Sequence, residues 1–364
     1  MLHQYPLPLS VSAYFDPAIF FAEQTKLFAQ VPQFVGHPSY VPNVGDYYAL
    51  VHENEARVLI RQADGNITLS SNICRHRQAI LLRGKGNLGY SNTIVCPLHQ
   101  WTYSSTGQLL GAPHFENNPC RHLTQYPLQV WNGLLFTGMH QPLKDLAGIT
   151  VAPELNFSNY VLGDIKQHHC AYNWKTFMEV YLEDYHVASS HPGLGKFVDC
   201  SNLSWQYGDH YSVQTVGLHP LFDKPNGSGT PAYQALHDAV VRHNSTKPKQ
   251  GAIWMSYYPN IMVEWYPNVL TVSLLQPKSV NETLNTIAFF YPKDILDFEP
   301  EFCQAQQTAY FETCFEDDDF AVRMEAGRRA LWTLGENDTG PYQSPLEDGM
   351  VHFHAWYRKN MLNR

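Results

Sequence analysis

Two short cysteine and histidine pairs are the residues of this chain best suited to do chemistry. Cys74 and His76 stand in the segment SNICRHR, and after nineteen intervening residues Cys96 and His99 stand in VCPLHQW. Two thiolates and two neutral imidazoles can hold a [2Fe–2S] cluster, with both cysteines on one iron and both histidines on the other. Histidine ligands remove negative charge and raise the reduction potential of the cluster. The pattern therefore predicts a centre that accepts and donates electrons.

A structural zinc site is the alternative interpretation of these four residues. Zinc also takes mixed cysteine and histidine ligands, but zinc modules usually pair cysteine with cysteine and histidine with histidine. Here each segment supplies one cysteine and one histidine. Two hairpins that each deliver one residue of each type favour a Rieske [2Fe–2S] centre over zinc.

The residues after the second pair extend the pattern. Trp101 and Tyr103 follow it, and the segment SSTGQ, which contains Gly107, predicts a turn that closes a hairpin. With the two pairs, this stretch resembles the Rieske domain of the ring-hydroxylating oxygenases. The resemblance assigns four cluster ligands: Cys74, His76, Cys96 and His99. It also implies that the Tyr103 hydroxyl donates a hydrogen bond to a cluster or cysteine sulfur and tunes the potential; a packed hairpin tyrosine is the alternative.

A second metal site is predicted in the segment from Asn173 to Pro192. It begins with the apolar spacing of an amphipathic helix and loses helical character at Ser189-Ser190. In a continuous helix His186 and His191 would lie roughly 140° apart around the axis, so the break is what allows them to share a metal. Two imidazoles and one carboxylate form the facial triad of non-haem Fe(II) oxygenases. A third ligand is therefore required.

The acidic run from Glu316 to Asp319 offers that third ligand. Such a run is usually a solvated helix face, and two histidines at this spacing are often ordinary residues. The chain nevertheless resembles the iron helix of the same oxygenase family through these residues in order: Asn173, Trp174, Lys175, Glu179, Glu183, Tyr185, His186, His191, Pro192 and Gly193. Glu316-Asp317 followed by Glu325-Ala326-Gly327 resembles the family's third-ligand helix. That register selects Asp317, with Asp318 as the alternative.

Glu183 is a departure from the family pattern. Most members carry an aspartate three residues before the first iron histidine, and it bridges the cluster of one subunit and the iron of the next. A glutamate resembles the subgroup that acts on carnitine, choline or glycine betaine. The resemblance implies a homotrimer in which electrons pass from His99 through Glu183 of the neighbouring subunit, although the added methylene leaves open whether Glu183 bridges as aspartate does.

The elements that must position these residues predict an α+β protein. We expect a helix over 17–30, a small antiparallel unit, a larger antiparallel sheet and a long C-terminal helix over 301–331. The predicted strands are 47–52, 56–62, 67–70, 93–95 and 133–137, then 212–216, 252–258, 261–266, 269–276 and 283–291. The long segment 218–251 is expected to cover something. The domain limits are an N-terminal helical segment 1–40, a Rieske domain 41–145 and a catalytic domain 146–364, which the resemblance makes a helix-grip (START-like) fold with a curved sheet.

Bulk properties restrict the partners. The chain has 364 residues, a formal net charge of −9 and no lysine or arginine run, which argues against nucleic acid and against an anionic membrane. The five remaining cysteines have no paired spacing and are typical of reduced thiols. No signal peptide pattern and no run of eighteen apolar residues is present, so we expect a soluble cytoplasmic protein.

These features together predict a terminal oxygenase. Its cofactors are one [2Fe–2S] Rieske cluster and one mononuclear Fe(II), with O2 as co-substrate. No flavin or nicotinamide fingerprint occurs, so a ferredoxin or flavin reductase is the expected electron donor. Ring dihydroxylation, monohydroxylation and oxidative demethylation of an aromatic or quaternary-amine substrate all fit; a non-catalytic electron-transfer or apolar-ligand-binding protein is the alternative. Sheet aromatics are candidates for lining a pocket or caging a cation: Trp205, Tyr207, Tyr211, Trp254, Tyr257, Trp265 and Tyr266.

Overall fold

The computed structural model describes residues 8–223, 229–244 and 246–362, which group into two compact units. The smaller unit is Pro32–Leu143, and the larger unit joins the N-terminal segment up to Val31 with the chain from Lys144 onward. The two compact units do not test the predicted functional domains, so the domain limits at residues 40 and 145 remain predictions. Among the helices of the described residues, none is both long and apolar enough to cross a membrane.

The smaller unit consists of short antiparallel strands. Its five-stranded sheet has the spatial order Lys85–Asn87, Asp46–Ala49, Arg57–Arg61, Ile67–Ser71 and Gln125–Tyr126. A three-stranded sheet follows the order Thr93–Val95, Thr102–Ser104 and Leu109–Gly111, and another follows Gln33–Gly36, Leu134–Thr137 and Gln129–Trp131. The five predicted strands of this region are confirmed to within a few residues. The apolar centre of Arg57–Arg61, which includes the β-branched Val58 and Ile60, is fully buried, as expected for the middle strand of the sheet.

The larger unit is built on a seven-stranded antiparallel sheet. The spatial order is Tyr160–Cys170, Glu282–Pro292, Val269–Ser279, Ile261–Tyr266, Ala252–Tyr257, Tyr211–Leu218 and Val198–Gly208. The five central strands match the predicted ones, whereas the two edge strands were not predicted. Both edge strands are mostly half-buried or exposed and carry many polar residues, so their sequences lack the apolar signal of the centre.

Helices cover this sheet. The long helix Pro300–Leu334 confirms the predicted C-terminal helix and ends at Gly335, whose φ of +72° is the left-handed conformation of a helix C-cap. The other helices of the larger unit are Ser12–Phe15, Pro17–Glu23, a π-helical Gln24–Phe28, Pro142–Asp145 at the unit boundary, Trp174–Tyr181, Val187–Ser190, Leu194–Phe197, Pro231–His243, Lys293–Phe298 and Asp348–Leu362. Pro231–His243 lies in the long segment expected to cover something, and it packs on the long helix. The predicted α+β class with a helix on a curved sheet is confirmed.

The helix that begins at Trp174 ends earlier than predicted. Asn173 caps its start, because the Asn173 Oδ1 atom accepts the Lys175 backbone N–H at 3.0 Å. The helix stops at Tyr181, and a single further turn forms at Val187–Ser190. The break expected at Ser189-Ser190 was therefore placed too late. Residues 182–186 are not helical, so the helical angle between the two histidines does not apply to them.

The N-terminal segment packs on this short helix. Glu23 accepts a hydrogen bond from Lys175 Nζ at 2.7 Å, and neither side chain is exposed to solvent. The Trp174 indole donates to the other Glu23 oxygen at 2.9 Å. Removing either partner of a buried ion pair leaves an uncompensated charge and destabilises the fold strongly. The pair therefore holds the helix in one position.

Candidate active site

The two cysteine and histidine loops have the same backbone geometry. In the first, the Cys74 N–H donates to the Ala79 carbonyl and the Gln78 N–H donates to the Cys74 carbonyl. In the second, the Cys96 N–H donates to the carbonyl of the fifth residue after it. The N–H of the fourth residue after it, Gln100, donates to the Cys96 carbonyl. Gln78 and Gln100 both adopt positive φ at the equivalent position. Two equal turns therefore present the two pairs, although their internal spacings differ by one residue.

The two loops bring the two cysteines close together and the two histidine rings close together. Cys74 and Cys96 are both buried, and burial together with the neighbouring Cys74 raises the pKa of the Cys96 thiol. The His76 and His99 rings have centroids 4.7 Å apart, and His99 is exposed to solvent. The His76 Nδ1 atom is buried and has no hydrogen-bond partner among the described residues. A buried nitrogen without a partner is costly unless it binds a metal, so the donor set fits a [2Fe–2S] cluster.

Tyr103 lies beside the first cysteine. Its side chain is fully buried, and its Oη atom is 3.5 Å from Cys74 Sγ. The Arg75 backbone N–H donates to the same Oη at 3.1 Å. Because the oxygen already accepts this bond, its own proton is available to donate to sulfur. The position suits the predicted tuning of the cluster potential.

In the larger unit, His186, His191 and Asp317 converge on one point. The Nε2 atoms of the two histidines lie 3.0 Å apart, and Asp317 Oδ1 lies 3.2 Å and 3.0 Å from them. Two ligand atoms that are each about 2.1 Å from a metal ion and at right angles to each other lie about 3 Å apart. The three atoms therefore fit a facial iron triad. The long helix supplies Asp317, and the chain after the short helix supplies both histidines.

Carboxylates behind the histidines hold them in this orientation. Glu183 Oε1 lies 2.5 Å from His186 Nδ1, and Glu316 Oε2 lies 2.6 Å from His191 Nδ1. Carboxylates that bind the outer nitrogen of a ligating histidine fix its orientation and increase its basicity. Burial lowers the pKa of His186, but Asp317 and Glu183 outweigh burial and raise it to about 10. The acidic surroundings thus favour a cation at the point of convergence. The sequence placed Glu316 in the acidic run and in the motif that resembles the third-ligand helix, but it gave Glu316 no role of its own.

Asp318 has a different set of partners. Its two oxygens lie 2.8 Å from His168 Nε2 and 2.7 Å from the Tyr172 hydroxyl. Adjacent residues of a helix point about 100° apart, so Asp317 and Asp318 cannot serve the same site. The geometry favours Asp317, which the family register selected, over Asp318.

A cavity of about 100 Å³ adjoins the predicted iron triad. Its apolar wall includes Phe177, Val180, Val187, Leu194 and Leu236. Its polar and aromatic lining includes Tyr181, Asp184, Tyr233, Trp254, Glu264, Tyr266, Gln306, Tyr310, Thr313 and Cys314. Of the sheet aromatics proposed from sequence, only Trp254 and Tyr266 line it. No lysine or arginine occurs among the described residues of its wall.

Two buried carboxyl groups in this wall were not predicted from the sequence. Burial raises the pKa of Glu264 to about 7, and burial likewise raises the pKa of Asp184 to about 7. The Gln214 side-chain amide donates to Asp184. A pocket whose acids are buried and whose described wall contains no lysine or arginine provides an acidic, partly desolvated environment.

Comparison with known families agrees with both centres. Residues 31–127 match the Rieske [2Fe-2S] domain, and residues 157–363 match the catalytic domain of the ring hydroxylating alpha subunit. The second match covers more than half of the chain. The protein therefore belongs to the Rieske non-haem iron oxygenases, as predicted, and is a terminal oxygenase component. Members of this family carry a Rieske cluster and a mononuclear iron, and they use O2.

Individual relatives narrow the class. The chain is 56% identical over 354 residues to putrescine 2-hydroxylase of Ralstonia nicotianae. The aligned region covers 97% of this chain and 95% of the relative. It is 50% identical to putrescine 2-hydroxylase of Bordetella bronchiseptica over 97% of this chain and 84% of that protein. The solved structure of the quaternary ammonium Rieske monooxygenase CntA with inhibitor MMV12 has a TM-score of 0.76 at 18% identity and covers 98% of this chain and 96% of that one. That structural likeness shows the fold.

Proposed function

We propose that the protein hydroxylates a short aliphatic diamine of the putrescine type at a methylene carbon. The observation that carries this proposal is the 56% identity to a putrescine 2-hydroxylase along nearly the whole of both chains. The cavity supports it, because an apolar wall suits a methylene chain and buried acids suit ammonium groups. Ammonium groups of this kind ionise near the pKa of lysine, about 10.4, and are charged at neutral pH.

The proposed reaction is a monooxygenation. A substrate C–H bond and O2 combine with two electrons and two protons to form a C–OH group and water. The mononuclear iron, when bound, activates O2 for this step, and the electrons come from a ferredoxin or flavin reductase. The chain's own residues hold the metals, exclude competing oxidation and fix the carbon that faces the iron.

The proposed residue roles follow the observed contacts. Three side chains hold the iron: His186, His191 and Asp317. Four side chains hold the cluster: Cys74, His76, Cys96 and His99. Glu183 accepts a hydrogen bond from the outer nitrogen of His186, and we propose that its carboxylate receives the electron path from His99 of a neighbouring subunit in a homotrimer. Tyr103 donates to Cys74 and tunes the cluster.

The cavity supports a cationic substrate better than a neutral aromatic one. Its wall contains the buried acids Glu264 and Asp184, which a neutral arene would leave unpaired. Ring dihydroxylation of bicyclic arenes is therefore the weaker candidate. A cytoplasmic location is part of the proposal, because all seven cysteines are free and unpaired with one another.

The test is substrate-dependent O2 uptake by protein loaded with both metal centres, with a reductase and NADH. The panel contains putrescine, 1,3-diaminopropane, cadaverine, 1-aminobutane, choline, glycine betaine and naphthalene. We expect putrescine to give coupled O2 uptake and a product 16 mass units heavier. A product formed from choline, glycine betaine or naphthalene but from no diamine would overturn the proposal. Size-exclusion chromatography with light scattering tests the trimer.

A further inference from the structure

Glu264 occupies a defined place on the cavity face of the sheet. It pairs with Trp254 on one neighbouring strand and with Thr271 on the other, and Trp254 pairs in turn with Gln214. Residues that are directly opposite each other in an antiparallel sheet project from the same face. Gln214 donates to Asp184, a cavity residue, so this row of side chains points toward the cavity.

The Glu264 carboxyl is buried but incompletely paired. It is 3% exposed, and its Oε1 atom accepts a hydrogen bond from the Tyr310 hydroxyl at 3.3 Å. Its Oε2 atom is buried and has no hydrogen-bond partner within the part of the chain that the structure describes. Burial raises its pKa to about 7, while the neighbouring hydroxyls of Thr271, Tyr310 and Tyr266 act in the opposite direction. A buried carboxyl oxygen without a partner is costly, so a ligand that satisfies it has a large advantage.

The surroundings of Glu264 suit a cation. The aromatic side chains that line the same cavity include Tyr181, Trp254, Tyr266 and Tyr310. The Trp254 indole donates to the Tyr266 hydroxyl at 2.8 Å, which orients that hydroxyl. Aromatic rings attract an ammonium group by cation–π interaction, and a carboxylate adds a direct charge pair. No lysine or arginine occurs in the described cavity wall to neutralise this acid.

We propose that Glu264, within the cage of Tyr181, Trp254, Tyr266 and Tyr310, binds one ammonium group of the substrate and thereby selects diamines over monoamines. The inference rests on the proposed diamine hydroxylation and names the residue that recognises the substrate. Asp184 is a poorer choice for this role, because the Gln214 amide already binds its carboxyl. Anchoring one end of the chain also determines which methylene faces His186, His191 and Asp317.

The central experiment measures binding by calorimetry to the oxidised, metal-loaded protein without reductase. Wild-type protein and Glu264→Gln are titrated with putrescine and with 1-aminobutane, which lacks one ammonium group. Removing one partner of a buried charge pair costs binding, and we expect the putrescine Kd to rise at least about thirtyfold. The preference of putrescine over 1-aminobutane should fall to nearly one. An unchanged putrescine Kd in Glu264→Gln overturns the inference.

A second variant keeps the charge and changes its reach. Glu264→Asp withdraws the carboxylate by one methylene, so we expect cadaverine, which is one methylene longer, to gain at least about fivefold in affinity relative to putrescine. This outcome does not require the glutamine variant to fold. If the cadaverine-to-putrescine ratio stays at the wild-type value, Glu264 does not set the substrate length and the inference fails.

The matched control is Glu282→Gln on the same sheet. Glu282 is an exposed glutamate at a strand end, so its removal changes the net charge equally without touching the cavity. We expect wild-type affinity and turnover for this variant. Wild-type protein that neither binds nor oxidises any diamine overturns the proposed function itself. Wild-type turnover of putrescine with an unaltered Kd in Glu264→Gln overturns only the role of Glu264.

Discussion

Replacing Glu264 by glutamine should stabilise the substrate-free protein at alkaline pH and change its stability little at acidic pH. Burial raises the pKa of this carboxyl from 4.5 to about 7. An acid whose pKa is higher in the folded state favours folding below its unfolded pKa, and this contribution is lost as pH rises through the folded pKa. The difference of about 2.5 units corresponds to about 3 kcal/mol at pH 8. Glutamine keeps the shape of the side chain but cannot ionise.

The assay is thermal unfolding of wild type, Glu264→Gln and the control Glu282→Gln at pH 5 and pH 8. For a domain of this size, 1 kcal/mol shifts the Tm by roughly 2–4 °C, so we expect Glu264→Gln to gain several degrees over wild type at pH 8. At pH 5, just above the unfolded pKa of 4.5, the difference should shrink to about 1 kcal/mol, because the folded wild type is then protonated at Glu264 and only its unfolded chain is ionised. Glu282→Gln should follow wild type at both values.

Putrescine provides an internal check of the same reasoning. A ligand that binds only the folded protein stabilises it in proportion to its affinity. Saturating putrescine at pH 8 should therefore raise the Tm of the wild type more than that of Glu264→Gln and narrow the gap between them. Two results would refute this explanation: Glu264→Gln is less stable than wild type at pH 8, or the difference in stability is the same at both pH values. Either result would mean that burial does not raise the pKa of the Glu264 carboxyl in the folded protein.

Three further predictions concern the metal centres. Asp317→Ala should reduce the iron content from three to two atoms per chain with the visible cluster spectrum retained, whereas Asp318→Asn should keep three; metal analysis that gives the reverse pattern would assign the triad to Asp318. Glu183→Gln should keep both centres yet lower putrescine turnover at least tenfold in stopped-flow and steady-state assays, and turnover at the wild-type rate would exclude it from the electron path. Tyr103→Phe should lower the cluster potential by roughly 20–60 mV, the equivalent of one hydrogen bond to sulfur, in a spectroscopic redox titration; an unchanged potential would make Tyr103 a packing residue.

The central strands and the long helix could be predicted because their apolar patterns are strong. The strand Ile261–Tyr266 has the predicted limits, and the long helix has no internal proline and nearly the expected length. The edge strands Tyr160–Cys170 and Val198–Gly208 escaped prediction, because an edge strand buries little and its sequence is mostly polar. The end of the helix at Tyr181 was also missed, since the chain leaves it to bring Glu183 and His186 together.

The amino-acid sequence by itself determined the chemistry of the cluster and the class of enzyme. The cluster residues lie within two short segments, and each turn is set by local hydrogen bonds, so residue type and spacing carry the information. The family register selected Asp317 over Asp318, and the tertiary structure favours the same residue, because the long helix is rotated so that Asp317 faces the two histidines and Asp318 faces His168. The tertiary structure also revealed the position of Glu264. A single acid in an apolar strand can be assigned to the cavity wall only when strand register and helix packing are known.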